Sequence, residues 1–228
     1  MIHIVIPAYN EGKNLPALLQ DIAKALAKEP YAAAIVNDGS KDNTVEVARG
    51  LAKQYPVTVL DHHVNRGVAE AFRTGIAHTS AKAAPNDVIV IMEGDGTSSP
   101  VVLPEMARRV RAGADIVIAS RYEAGGKYQK FPLKRLILSK GANIVFQLLF
   151  PVKGVKDYSI FYRAYRAGIL QEALAHYGDK FITVQTFFAN IEILLNLRSF
   201  MRKVEEVPFV YDYGKKRGKS GMKIWKNL

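Results

Sequence analysis

Apolar and polar positions fall into alternating blocks over the first 120 residues. "IHIVIPA", "AAAIVNDGS", "VTVLDHH", "DVIVIMEGD" and "ADIVIASR" are short apolar runs that end in polar residues. Runs this short, apolar throughout, suit strands buried on both faces. Between them, "NLPALLQDIAKALAK" sets Leu15, Leu18, Leu19, Ile22, Ala25 and Leu26 near helical spacing. "DNTVEVARGLAKQY", "GVAEAFRTGIAHTS" and "PVVLPEMARRVRAG" read as further helices, the first capped by Asp42 or Asn43. Strands alternating with helices predict right-handed crossovers and a mainly parallel sheet covered on both faces. Ligands of such sheets bind beyond the carboxyl ends of the strands.

After Arg121 the rhythm changes. "YEAGGKYQKFP" reads as a Gly- and Lys-rich loop, and "LKRLILSKGANIVFQLLF" as a long amphipathic helix with a basic start. "VKDYSIFYRAYRAGIL" mixes aromatic residues with Arg, "FITVQTFFANIEILLNLRSF" reads as an apolar-rich helix, and "RKVEEVPFVYDYG" ends in a strand. From Lys215 a basic tail containing Trp225 is expected to open an amphipathic helix. No repeat or low-complexity segment interrupts the pattern. Residues 1–228 are expected to form one domain, with a ligand-binding half at 1–120 and a second functional half at 121–228.

Composition narrows the classes. The chain has 228 residues, 49% of them apolar, which is ample for a core. It has no Cys, which excludes disulfides and thiolate metal sites. No 18-residue apolar stretch is present, so no transmembrane helix is expected, and "MIHIVIPAYNEG" does not read as a signal peptide. The net charge of +11 is uneven: residues 1–120 carry 12 basic and 13 acidic side chains, residues 121–166 carry 10 and 2, and residues 202–228 carry 8 and 3. Such basic blocks suit phosphate, nucleic acid or an anionic membrane surface, or are simply a solvated face. They lack a helix-turn-helix, finger or RNP pattern, so no specific nucleic acid is expected.

The chemistry-bearing residues gather at strand ends. "PAYNEG" follows the first strand, "NDGS" the second and "EGDG" the fourth. Each alone is an ordinary turn; together they line one sheet edge. Glu93 and Asp95, one residue apart, point to the same side of an extended segment, as a metal site or as a polar turn. A P-loop, a GxGxxG fingerprint and a GxSxG elbow are all absent. His62 and His63 are adjacent, lack metal-ligand spacing and read as part of a polar loop.

"VIPAYNEGKNL", "VNDGSKDNT", "NRGVAEAFRTGI", "MEGDGTSSP" and "ASRYEAGG", in this order, resemble family 2 glycosyltransferases. "KDYSIFYRAYR" and "EVPFVYDYGKKRGKS" narrow the resemblance to dolichyl- and polyprenyl-phosphate sugar transferases, across nearly the whole chain. The resemblance implies an α/β GT-A fold, Rossmann-like and three-layered, with a mainly parallel sheet. It implies inverting transfer from a nucleotide-diphosphate sugar, of the GDP-mannose or UDP-glucose type, to a lipid phosphate with Mg²⁺ or Mn²⁺. Pro7, Tyr9, Glu11, Asn37, Asp38, Glu93 and Asp95 then form the donor site, with Asp95 and Glu93 toward the metal. Four departures stand out: Asn37 replaces the first Asp of DDGS, Glu93 the first Asp of DxD, Thr97 the Gln common two residues after the second Asp, and Ile160-Phe161 a Ser-Gly pair.

Charge completes the expectation. A phosphate monoester has a second pKa near 6, so it is mostly a dianion at neutral pH and attacks without a general base. Arg121, Arg163 and Lys127 are the candidate cations for it, and Asp95, Arg121 and Asp157 the candidate catalytic residues. A hydroxyl acceptor instead needs a carboxylate base, for which Asp157 is the candidate. Nucleotidyl transfer, a non-catalytic nucleic-acid module and an inactive relative are the other readings. The basic start and apolar face of the 132–150 helix, with Phe146, Leu149 and Phe150, suit either a lipid surface or the core. The first option places the protein peripherally on the cytoplasmic face of a membrane.

Overall fold

The computed structural model describes residues 1–215; the tail beyond, including Trp225, lies outside the described residues. The first half follows the sequence pattern closely. Strands β1 (Ile2–Ala8), β2 (Tyr31–Asn37), β3 (Val57–Asp61), β4 (Val88–Ile91) and β5 (Ile116–Ser120) alternate with helices α1 (Leu15–Ala25), α2 (Thr44–Leu51), α3 (Val68–Ser80) and α4 (Leu103–Arg111). α1 starts at a proline and buries Leu15, Leu18, Leu19 and Ile22, the stripe that its spacing predicts. β4 and β5 are buried along their full length, as strands covered on both faces must be.

The second half adds β6 (Lys127–Gln129), α5 (Leu133–Leu149), β7 (Arg163–Arg166), α6 (Ala167–Tyr177), α7 (Ala189–Asn196), β8 (Val204–Pro208) and β9 (Val210–Asp212). The central sheet has the order β3-β2-β1-β4-β7-β5-β8, with only β7 antiparallel. The carboxyl ends of β1 to β5 therefore share one edge. Strand order reverses at β1, which lies between β2 and β4, so the crevice beside β1 is where a ligand belongs.

Three elements depart from the sequence expectation. β7 reads as polar because Arg stands at both its ends, yet Arg163 is fully buried. The "YEAGGKYQKFP" loop contains β6, which pairs in parallel with β9 and sets Tyr128 opposite Tyr211. The helix expected across 181–200 is confined to α7. Residues 183–188 instead run as an irregular segment, held by Glu192, whose carboxylate accepts the N–H groups of Thr183 (2.8 Å) and Val184 (3.0 Å). The β-branched Ile182, Thr183, Val184 and Thr186 weaken helix here.

α5 is not the core helix that one of the two expectations allowed. It buries only Asn143, while Leu133, Ile137, Leu138, Ile144, Val145, Leu148 and Leu149 are exposed. It is a surface helix with an uncovered apolar face. Among the described residues, no helix is long and apolar enough to cross a membrane.

Candidate active site

Gly94 draws two strand ends together. A Cβ on it would lie 3.1 Å from the Pro7 carbonyl and 3.3 Å from Ile6 Cγ2, tighter than ordinary contact. Glycine thus lets the turn after β4 close against the end of β1, beside Glu11. Glu93 and Asp95 flank it. The Thr97 amide (3.0 Å) and hydroxyl (2.5 Å) donate to Asp95 Oδ1, and the Ser98 hydroxyl donates to Glu93 Oε2 at 3.2 Å. Asp95 is buried, so this local turn fixes its orientation.

The donor set is two carboxylates with hydroxyls beside them. Among the described residues, no three His, Asp or Glu side chains gather into a ready-made cage. That chemistry fits a hard divalent cation of the Mg²⁺ type, which takes one or two carboxylates and completes its shell with phosphate oxygens and water.

The turns after β1 and β2 are tied to each other. The Asn10 amide donates to Ser40 Oγ (2.9 Å), the Lys41 amide to Asn10 Oδ1 (2.8 Å) and the Glu11 amide to Thr44 Oγ1 (2.9 Å). The Glu11 carboxylate accepts from Asn14, and Tyr9 stands partly exposed at the rim. Gly39 has φ 63° and its missing Cβ would fall 2.2 Å from Asn65 N, so the 62–67 loop lies directly on it. Asp38 holds that loop: its carboxylate accepts the amides of Arg66 and Gly67, both at 2.8 Å, and faces His62 Nδ1 at 3.2 Å. His62 Nε2 reaches Thr74 Oγ1 at 2.8 Å, whereas His63 is exposed. Asn37 is buried and bonded to Asp61 and Ser40.

On the far side of β4, Arg121 leaves β5 and is almost wholly buried. It grips Asp157 through its backbone N–H (3.1 Å), Nε (2.7 Å) and Nη2 (2.6 Å), and Nη2 also donates to Ser159 Oγ at 2.6 Å. None of these bonds uses Nη1. The guanidinium lies 4.8 Å from the Tyr128 ring centre, 5.7 Å from Tyr211 and 5.9 Å from Tyr122. Burial pushes the Tyr128 and Tyr211 phenols well above their usual range, and for Tyr211 the charges of Glu93 and Asp95 add to it. Both hydroxyls thus stay protonated, and Tyr211 spans from the carboxylate pair to the arginine.

Two candidates are placed differently from expectation. Arg163 sits in the core, with Nη1 on the Asn190 carbonyl and Nη2 on the Tyr158 carbonyl, each at 2.7 Å. It is a structural cation, shielded from any phosphate. Asp157 is fully buried, and its oxygens accept from Arg121 and from the Ile160 amide (3.2 Å). It is a partner of Arg121, in no position to serve as a base. Lys127 is exposed on β6, at the rim of the aromatic cluster.

Ser139, Ser159, Tyr128 and Tyr211 were missed in the sequence. Ser139 Oγ on α5 lies 3.3 Å from Ser159 Oγ and 3.1 Å from the Tyr128 hydroxyl, linking the exposed helix to Arg121. Arg135, one turn earlier on α5, donates to the Tyr213 hydroxyl at 3.2 Å. For Ser139 the available signal was the polar stripe Arg135, Ser139 and Asn143 at four-residue spacing along one side of an otherwise apolar-rich helix.

The description "Glycosyl transferase family 2" matches residues 3–174 of this chain. The chain belongs to that family. It is 34% identical over 224 residues to a dolichol-phosphate mannosyltransferase of Pyrococcus furiosus, across 97% of this chain and 59% of that protein. It is 35% identical over 171 residues to a polyprenol monophosphomannose synthase of Mycolicibacterium smegmatis, across 74% of this chain and 63% of that protein. The chain thus spans about three fifths of the length of these relatives. Among solved structures, glucosyl-3-phosphoglycerate synthase of Mycobacterium tuberculosis matches with TM-score 0.65 at 15% identity, over 99% of this chain and 74% of that one. The same enzyme has been crystallised with Mn²⁺, UDP-glucose and phosphoglyceric acid, and that structure matches at TM-score 0.61, over 100% of this chain and 74% of that one. These likenesses confirm the expected GT-A fold.

Proposed function

We propose that this chain transfers a sugar, with inversion, from a nucleotide-diphosphate sugar to a polyprenyl phosphate at a membrane surface. The observation that carries the reading is Asp157. Its carboxylate is engaged by Arg121 and the Ile160 amide, which disfavours it as a base and favours an acceptor that brings its own negative charge. A phosphate monoester does so near neutral pH. The names of the two curated relatives support the same acceptor class.

Pro7, Tyr9, Glu11 and the Asn37–Asp38 turn border the donor pocket in this reading, with Asp38 shaping its 62–67 wall. Glu93 and Asp95 hold a Mg²⁺ or Mn²⁺ ion, Asp95 more directly; when bound, the ion neutralises charge developing on the leaving diphosphate. The Mn²⁺ complex of the structural neighbour supports a divalent ion of this type. Arg121 orients the acceptor phosphate through Nη1, its other nitrogens being fixed by Asp157 and Ser159. Ring contacts and burial hold the guanidinium still, so little reorganisation is needed when charge arrives. Ser139, Arg135 and Lys127 add donors at the same rim. Residues 1–120 thus serve the donor and 121–228 the acceptor, within one domain.

The exposed apolar face of α5, beside Lys134, Arg135 and Lys140, lies on the membrane interface. In this reading the protein is peripheral, on the cytoplasmic face of the membrane. The test is partitioning of radiolabelled sugar from GDP-mannose or UDP-glucose into organic solvent with added polyprenyl phosphate. Label appearing only in water-soluble product would refute the reading.

A further inference from the structure

Residues 156–159 carry both side chains that hold Arg121, Asp157 and Ser159, yet they belong to no helix or strand. Asp157 and Tyr158 are fully buried. Buried backbone groups need partners, and here side chains of neighbouring elements supply them. Glu206 of β8 accepts the amides of Lys156 (2.6 Å) and Asp157 (2.9 Å) through Oε1. Arg163 of β7 donates to the Tyr158 carbonyl at 2.7 Å. Two further bonds come from α5: Asn143 Oδ1 accepts the Tyr158 amide and Gln147 Nε2 donates to the Lys156 carbonyl, each at 2.8 Å.

Those two bonds belong to a series. Ser139, Asn143 and Gln147 follow at four-residue spacing on one side of α5. They meet Ser159 Oγ (3.3 Å), the Tyr158 amide and the Lys156 carbonyl in turn. Helix and segment thus run in opposite directions, joined by polar contacts, with the Phe146 ring stacked on Tyr158 at 6.4 Å between centres. Asn143 makes the middle contact and is the one residue of α5 that is buried. The outer side of the same helix is the exposed apolar face.

We infer that Asn143 is a positioning residue for the acceptor: by pinning α5 to the Tyr158 amide, it fixes the segment that presents Asp157 and Ser159 to Arg121 and holds the lipid-facing helix in register with that arginine. This rests on the proposed transfer to a lipid phosphate. Without the Asn143 oxygen the buried Tyr158 amide loses its acceptor, and the turn that aims the guanidinium loosens. None of the bonds in this series reaches Glu93 or Asp95, so the donor side is left as it is.

The test is steady-state kinetics of the full chain with polyprenyl phosphate and whichever of GDP-mannose and UDP-glucose it turns over. Asn143→Leu matches the side chain in shape and favours helix. It is expected to raise the KM for polyprenyl phosphate about fivefold or more. The donor KM should stay within about twofold, and the rise in Tm with nucleoside diphosphate and Mn²⁺ should equal that of the wild type. Loss of folded enzyme lowers the apparent kcat and moves neither KM. Combined with Ser159→Ala, the effect on acceptor KM should fall short of the product of the single effects, because both act through Arg121. Gln147→Ala, at an exposed position, should raise the acceptor KM in the same direction by a smaller factor. An unchanged acceptor KM in Asn143→Leu overturns the inference, as does one in Gln147→Ala should the leucine variant fail to fold. An equal rise in donor KM, or a full product in the double variant, also overturns it; each of these leaves transfer to lipid phosphate intact. A wild type that transfers to no lipid phosphate overturns the proposed function, and this inference with it.

Discussion

The Asn37 amide donates to Asp61 Oδ1 at 2.8 Å, across the register that sets the last residue of β2 opposite the last residue of β3. This contact accounts for one departure from the family pattern. An Asp at position 37 would set two carboxylates against each other at a buried strand end. Here the charge resides on Asp61, where Arg49 reaches it at 3.2 Å, and position 37 supplies the donor. The neutral side chain also accepts the Ser40 amide at 3.3 Å, so it closes the turn that presents Asp38.

Asn37→Asp is therefore expected to destabilise the fold by about 1–3 kcal/mol near neutral pH, the cost of a broken buried hydrogen bond with repulsion added. The new carboxyl would have its folded pKa raised by Asp61. Its protonated form is tolerated, so the loss is small below about pH 4 and grows as pH rises through that folded pKa. Denaturant titrations at acid and neutral pH measure this. Adding Asp61→Asn returns a single charge to the pair and should recover most of the stability; a double variant no better than the single would remove the explanation.

Asp157 invites a second substitution. As a partner of Arg121, Asp157→Ala leaves a buried guanidinium uncompensated, a loss of about 3–5 kcal/mol. Asp157→Asn keeps the shape and loses the charge, so it is expected to fall between. Since Asp157 supplies no base, the residual activity of Asp157→Asn should keep the acid limb of the wild-type pH–rate profile. A limb that vanishes with the carboxyl would restore Asp157 as a base.

How much of this was legible beforehand follows the range of the interactions. The five strands and four helices of residues 1–120 rest on local periodicity, and their order fixes which ends share an edge. The strand-end positions of Glu93, Asp95 and Asp38 were readable because these residues follow apolar runs directly. Arg163 was misread because its partners, the carbonyls of Asn190 and Tyr158, are set by tertiary packing and leave no mark on spacing. Asp157 was misread likewise: nothing local reveals that Arg121, 36 residues away, would consume both its oxygens. β7 escaped notice because Arg at each end masks a short strand.

The carboxylate pair makes a metal-dependent prediction. Nucleoside diphosphate with Mn²⁺ is expected to raise the Tm of the wild type by mass action. EDTA or Asp95→Ala should remove the metal-dependent part of that rise, with at least a tenfold loss of transfer. Glu93→Asp, which restores the family's DxD, should retain both. A Tm rise in Asp95→Ala equal to the wild type's would show that the ion is held elsewhere.

Glu206 gives a pH dependence with a defined sign. Burial pushes its carboxyl above the usual range, although Ser120 and the amides of Lys156 and Asp157 pull the other way. A raised folded pKa means that the folded state holds this proton more tightly than the unfolded chain. The contribution is complete below the unfolded pKa, about 4.5, and is lost as pH rises through the folded value. Glu206→Gln keeps an acceptor for the two amides and removes the titration. It should match the wild type near pH 4 and be more stable at pH 7, where each kcal/mol corresponds to about 2–4 °C of Tm for a chain of this size. A variant less stable at pH 7 than at pH 4, relative to wild type, would reverse the assignment.

The exposed face of α5 separates docking from chemistry. Ile144, Leu148 and Leu149 are more than half exposed, so charging two of them, as in Leu148→Glu/Leu149→Glu, should change folding stability by no more than about 0.5 kcal/mol per site. Each removes apolar area from any lipid contact and adds a charge of the wrong sign for an anionic surface. Flotation with vesicles containing anionic lipid is therefore expected to fall sharply, while nucleotide-induced stabilisation stays at the wild-type level. Transfer to polyprenyl phosphate in vesicles should drop at least tenfold through KM. Transfer to a short-chain analogue in free solution should hold its kcat, because Arg121 and Ser139 are untouched. Equal flotation of variant and wild type would move the membrane contact off this helix.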